Sequence, residues 1–123
     1  MTREQFDKLV EEAVEEIPSE FRERMENVAI LVEDYPTGPI KARYKKSLLL
    51  GVFIGVPLTQ QNWELAYPPH KVILYQKNIE SICHSDEEIK QEVRITLIHE
   101  IGHFFGFNEV EIRQLQGLPP EPK

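Results

Sequence analysis

Two histidines with a glutamate between them carry the pattern of clearest chemical content in this sequence: His99-Glu100-Ile101-Gly102-His103. On an α-helix, positions i and i+4 lie one turn apart on one face, so both imidazoles can approach one metal ion. Glu100 projects beside them, placed to act as a base toward a water held by that ion. Two protein ligands leave zinc short, because catalytic zinc takes three and keeps its fourth position for water. Six residues after His103 stands Glu109, and Gly106 between them permits the positive φ that turns the chain back toward the histidines. Glu111 is the fallback carboxylate. Glu121 lies in the Leu118-Pro119-Pro120-Glu121-Pro122-Lys123 tail, a poor platform for a rigid ligand.

These side chains need a helix to hold them, and the sequence marks one. Ser85 with Glu88 reads as a capping box, and Asp86 and Glu87 suit the positive end of a helix dipole. The helix is expected to run to about Phe105, with Gly106 as its C-terminal cap. At about 100° per residue, Val93, Leu97, Ile98, Ile101, Phe104 and Phe105 cover one arc, and Glu92, Thr96, His99, Glu100 and His103 the opposite one. The histidines therefore point away from the expected core. Asn108 with Glu111 starts one more short helix, closed by Gly117.

Upstream, Phe6, Leu9, Val10, Ala13, Val14 and Ile17 recur at helical spacing behind a Thr2/Gln5 capping box. Pro18 ends that helix, and Ser19 is expected to cap a second one carrying Phe21 and Met25. Residues 28–32 are β-branched and apolar and read as a buried strand. Residues 48–54 read as another, in which Gly51 implies a bulge or a close backbone approach. Residues 72–75 form a third behind Pro68-Pro69, which suits a sheet edge. Residues 60–69 show no period. The reading is α+β: a small mixed sheet packed against an N-terminal helix and a long site-bearing helix, in a single domain over residues 1–117 with a tail at 118–123.

The chain has 123 residues, 41% hydrophobic and 28% charged, the balance of an ordinary globular protein. Its net charge of −7 opposes a phosphate backbone, so nucleic acid is not an expected partner. The one dense basic cluster, Lys41, Arg43, Lys45 and Lys46, is expected in a solvated loop. A single cysteine, Cys83, allows no internal disulfide and suits a reduced, cytoplasmic setting. No apolar stretch has the length of a membrane span, and the N-terminus lacks the apolar core of a signal peptide. A monomer is expected.

The segment His99 to Glu109 resembles the extended His-Glu-x-x-His-x-x-Gly-x-x-His/Asp motif of metzincin-type zincins, with Glu in the last place. More closely, it is similar to a family of small bacterial zincin-like metallopeptidases, the minimal metalloproteases. Members carry segments similar to Gly55-Val56-Pro57-Leu58-Thr59 and Lys71-Val72-Ile73-Leu74-Tyr75, and the resemblance covers about residues 50–115. It implies a Zn2+ peptidase acting on a peptide or protein substrate, with His99, His103 and Glu109 as metal ligands and Glu100 as general base. In that family the place of Glu109 is typically Asp. A peptide is expected to add to the strand at 72–75. The methionine turn of the metzincins has no counterpart, since Met1 and Met25 precede the motif, and no His or Tyr follows Glu109. An oxyanion-stabilising group must come from upstream, with His70, Tyr67 and Tyr75 as candidates. The alternative implication is a zinc-binding adaptor of the same fold without useful activity. A purely structural zinc would instead require four protein ligands, and Cys83 is too far along the chain from His99 to be the fourth.

Overall fold

The computed structural model describes residues 1–55 and 70–119. Helix α1 (Arg3–Glu15) opens with the expected reciprocal cap: Gln5 donates its backbone N–H to Thr2 Oγ1 at 3.1 Å, and Thr2 donates its own to Gln5 Oε1 at 2.9 Å. Its inward stripe is Phe6, Val10 and Ala13, continued by Ile17 past the helix end. Helix α2 (Ser19–Arg24) is capped one residue earlier than expected. The Pro18 carbonyl already accepts from Phe21 and Arg22, both at 3.0 Å, so Ser19 lies inside the helix and makes no cap.

Strands β1 (Val28–Glu33), β2 (Gly51–Ile54) and β3 (His70–Tyr75) form a mixed sheet in the order β1-β3-β2, with β1 parallel and β2 antiparallel to β3. The expectation of an edge strand at 72–75 is overturned. Val72, Ile73, Leu74 and Tyr75 are all buried, so both faces of β3 are covered, as suits a central strand with neighbours on both sides. Pro68-Pro69, which suggested the edge, lie outside the described residues. Strand β2 is shorter than the apolar run at 48–54, although Tyr75 N–H still reaches the Leu50 carbonyl at 2.9 Å. Strand β1 is less buried than expected, because as a flanking strand it exposes Leu31.

Two short helices depart from the sequence reading. Helix α3 (Gly38–Arg43) occupies part of the expected basic loop; Pro39 in its first turn has its φ already set for a helix. Its Lys41 and Arg43, and Lys45 and Lys46 beyond it, are exposed as expected. Helix α4 (Gln76–Ser81) follows β3 directly. Gln76 is buried there and ties the N-terminus down, accepting from Arg3 Nε at 2.7 Å and donating to the Met1 carbonyl at 3.1 Å.

Helix α5 (Asp86–Phe104) is the axis of the fold, contacting α1, α4, β2, β3 and α6 (Glu109–Gln116). Ser85 Oγ caps it by accepting from Glu88 N–H at 3.1 Å. The Glu88 carboxylate returns to the N–H of His84 and not to that of Ser85, so the box is displaced by one residue. Ile89, Val93, Leu97, Ile98 and Ile101 are buried as the apolar arc implies. Thr96 is buried too, against the expected polar arc, and Phe104 is 46% exposed, against the expected core arc. Thr96 is covered because β2 passes against it at Gly51, whereas Phe104 is the last residue of α5 and lies at the helix end. No helix among the described residues is long and apolar enough to cross a membrane.

Candidate metal centre

The C-terminal end of α5 is closed by a turn that the histidines share. Gly106 adopts φ +84°, its N–H bonds the His103 carbonyl at 3.1 Å, and Phe107 N–H bonds the Gly102 carbonyl at 3.0 Å. This paired pattern around a left-handed residue is the Schellman termination. It reverses the chain so that Asn108, the N-cap of α6, and Glu109, its first helical residue, return beside the last turn of α5.

As a result three side chains from two helices converge. His99 Nε2 and His103 Nε2 lie 3.1 Å apart, with their rings edge to face at 89°. Glu109 Oε1 lies 2.9 Å from His103 Nε2. One ligand atom from each of the three falls within 4.8 Å of the others, and all three residues are exposed. Ligands about 2.1 Å from a tetrahedral zinc sit about 3.4 Å from each other, so the two contacts to His103, at 3.1 and 2.9 Å, are close to that spacing. Two imidazole nitrogens and a carboxylate oxygen are also a donor set zinc accepts. Among the described residues no fourth His, Cys, Asp or Glu joins the group.

The fallback carboxylate, Glu111, is not part of this group and is engaged elsewhere. Glu111 Oε1 accepts the Asn108 N–H at 3.0 Å while Asn108 Oδ1 accepts the Glu111 N–H at 2.8 Å, so this carboxylate serves as the cap of α6. Glu121 lies outside the described residues. Cys83 is half-buried ahead of the N-terminus of α5, and the helical rise from Ser85 to His99 alone is about 21 Å. Burial, and then Glu92 and Glu88, push its thiol pKa up, which disfavours the thiolate a metal requires.

Glu100 lies between two contacts that fix α5 against β2. A Cβ added to Gly51 would stand 2.8 Å from Thr96 Cγ2, and one added to Gly55 would stand 3.1 Å from Phe104 Cε2. Thr96, Glu100 and Phe104 are spaced one turn apart, so β2 runs alongside this face of α5 with Glu100 midway along it. Gly51 is thus the close approach that its place in an apolar run implied. Burial raises the Glu100 carboxyl above the usual range, and the charges of His99 and His103 pull it the other way.

Of the three upstream oxyanion candidates, Tyr67 lies outside the described residues. Tyr75 is 1% exposed and five residues down β3 from His70, roughly 16 Å along the strand. It is a core residue, its hydroxyl pKa raised by burial and then by Glu33. His70 opens β3 at the end nearest the centre, its ring 4.7 Å from that of Phe104. Phe53 and Phe104, to which the sequence reading gave no part in the site, stack at 4.3 Å beside it. The only sequence signal for them was the position of Phe104 directly after His103.

No curated protein matches the sequence. Among solved structures, a conserved hypothetical protein from Thermus thermophilus is similar, with a TM-score of 0.54 and 24% identity over 85% of this chain and 94% of that one. At that identity the likeness concerns the fold alone, a small α+β architecture. A family model for zincin-like metallopeptidases matches residues 25–118, a wider span than the 50–115 of the motif resemblance. That span takes in the whole sheet, helix α5 and the turn to Glu109, and the chain belongs to the zincin-like metallopeptidase family.

Proposed function

We propose that this protein is a zinc-dependent peptidase in which His99, His103 and Glu109 hold the ion and Glu100 is the general base. The observation that carries the reading is the convergence of three zinc-type donors beside a half-buried carboxylate that donates nothing to the ion. Zinc bound there supplies Lewis acidity, bringing water toward a pKa of about 7 and polarising a carbonyl. Glu100 takes the proton from the attacking water and returns it to the leaving amine. A carboxyl whose pKa is lifted by burial is better matched to that transfer than an exposed one. Glu109 closes the ligand set from a separate helix, and the capped turn at Gly106 keeps it in place without a metal.

The substrate in this reading is a peptide or protein met in the cytoplasm. An extended peptide cannot add to β3, which has strands on both sides. It adds instead along β2, the strand beside α5, whose other edge pairs with no strand among the described residues. Support for the reading comes from family membership and from the geometry of the site. The experiment is a peptide-library digest with zinc-loaded wild type and Glu100→Gln, zinc content being measured on the same samples. Both should carry one zinc, and only wild type should cleave. Stoichiometric zinc with no cleavage by either would refute the peptidase reading and favour the adaptor alternative.

A further inference from the structure

Next to the three convergent donors, the helix and the sheet build an aromatic surface that the ligand set does not use. Taking about 100° per residue, His99, His103, Glu100 and Phe104 fall in that order within an arc of about 140°. Phe104 is therefore the next side chain around the helix from Glu100, one turn further on. It is 46% exposed, an unusual state for a phenylalanine on the most buried helix of the fold. On its sheet side it stacks on Phe53 at 4.3 Å and 26°, and the His70 ring completes the group at 4.7 Å from Phe104 and 5.8 Å from Phe53. Strand β2 supplies Phe53, β3 supplies His70 and α5 supplies Phe104.

Gly55 helps keep this group assembled. A Cβ there would stand 2.9 Å from Phe53 Cε1, 3.1 Å from Phe104 Cε2 and 3.4 Å from His70 Nδ1, so any side chain would push the rings apart. The rings are thus held from one side by β2, and Phe105 packs edge-on to Phe104 at 5.4 Å, which still leaves Phe104 46% exposed.

We propose that Phe104, backed by Phe53 and His70, forms a recognition wall for a large apolar or aromatic side chain adjacent to the scissile bond. The inference rests on the peptidase reading for the position of the bond but on the aromatic group alone for the preference. A backbone laid along β2 places alternate side chains toward α5. The one carried past Glu100 meets the exposed ring of Phe104. Aromatic pairs in offset or tilted geometry add a directional term to simple burial, so aromatic residues are favoured over aliphatic ones of similar size.

The test uses binding as well as cleavage. Zinc-loaded wild type and Phe104→Ala are titrated with phenylalanine hydroxamate and glycine hydroxamate, which share the zinc-binding group and differ in the side chain. Wild type should bind the phenylalanine compound about tenfold more tightly, and Phe104→Ala should lose that difference while binding the glycine compound as wild type does. Equal affinity in wild type, or a preference that survives in Phe104→Ala, overturns the proposal, as does failure of both compounds to bind zinc-loaded protein. The peptide-library digest separates the two claims. Aromatic preference in binding without cleavage sinks the peptidase reading and leaves the wall standing; cleavage with no preference for apolar residues beside the bond does the reverse. Phe53→Leu guards against a folding artefact, since it keeps an apolar side chain there with a milder loss of volume than alanine and should reduce the preference only in part.

Discussion

A methyl group placed on Gly51 tests the seam that positions Glu100. In Gly51→Ala the new Cβ stands 2.8 Å from Thr96 Cγ2 and 3.1 Å from the Ile73 carbonyl oxygen. Carbon atoms rest about 3.5–4.0 Å apart, so the first contact is short by roughly 0.7 Å or more. Neither partner yields easily: Thr96 is buried and β-branched, with few rotamers open to it, and the Ile73 carbonyl belongs to the central strand. Overpacking of this kind costs about 1–3 kcal/mol. Against it stands a gain of about 0.4–1 kcal/mol, because alanine restricts the unfolded chain and the φ of Gly51 is not in the left-handed region. The net loss is about 1–2 kcal/mol, or a fall in Tm of about 4–8 °C for a chain of this length. Thr96→Ser removes the offending methyl and should relieve part of the clash. Urea denaturation of the four proteins of the double-mutant cycle should give a coupling of about 1 kcal/mol. If Gly51→Ala is as stable as wild type, or the two losses simply add, β2 does not lie against Thr96 and the placement of Glu100 beside it is wrong.

Glu109→Ala should weaken zinc binding by at least about 100-fold in a chelator competition, while Glu111→Ala keeps its zinc and loses about 1 kcal/mol of stability with the cap of α6. Gly106→Ala meets no neighbour within 4 Å, so its cost is the left-handed backbone alone, about 1–2 kcal/mol, and it should also weaken zinc binding by disturbing the return to Glu109. Gly117→Ala carries the same strain at φ +74° and should leave zinc affinity unchanged in the same titration. Chelation should leave the far-UV circular dichroism intact, because the donors are exposed and lie outside the buried core; loss of helix signal would indicate a structural metal. The carboxyl of Glu92 is raised by burial, so its folded pKa exceeds its unfolded one and its charge costs stability above the unfolded value near ~4. Glu92→Gln should therefore stabilise the protein at pH ~7 and lose that advantage below about pH 4, as read by denaturant midpoints at the two pH values.

What the sequence made legible was local. The cap at Thr2 and Gln5, the box at Asn108 and Glu111, and the turn at Gly106 each depend on residues within about five positions, and each formed. The same locality separates the two carboxylates: Glu111 spends Oε1 on the cap of α6, while Glu109, the first helical residue, is the one that reaches the histidines. Sheet order was hidden because it depends on pairing between distant segments, and residues 72–75 reveal the central position only once both neighbouring strands are in place. The state of Thr96 and Phe104 was hidden for a related reason. Helix α5 is covered by α1, α6 and the sheet from different sides, which erases the simple two-faced pattern that angular position relies on. The aromatic group of Phe53, His70 and Phe104 joins three separate elements, and no spacing along the chain announces it.

The most direct test of the central claim is zinc K-edge X-ray absorption on the metal-loaded protein. The expected spectrum shows four light-atom scatterers at about 2.0–2.2 Å with the multiple-scattering signature of two imidazoles, reduced to one imidazole in His103→Ala. A sulfur shell at about 2.3 Å, or an unchanged two-imidazole spectrum in His103→Ala, would contradict it.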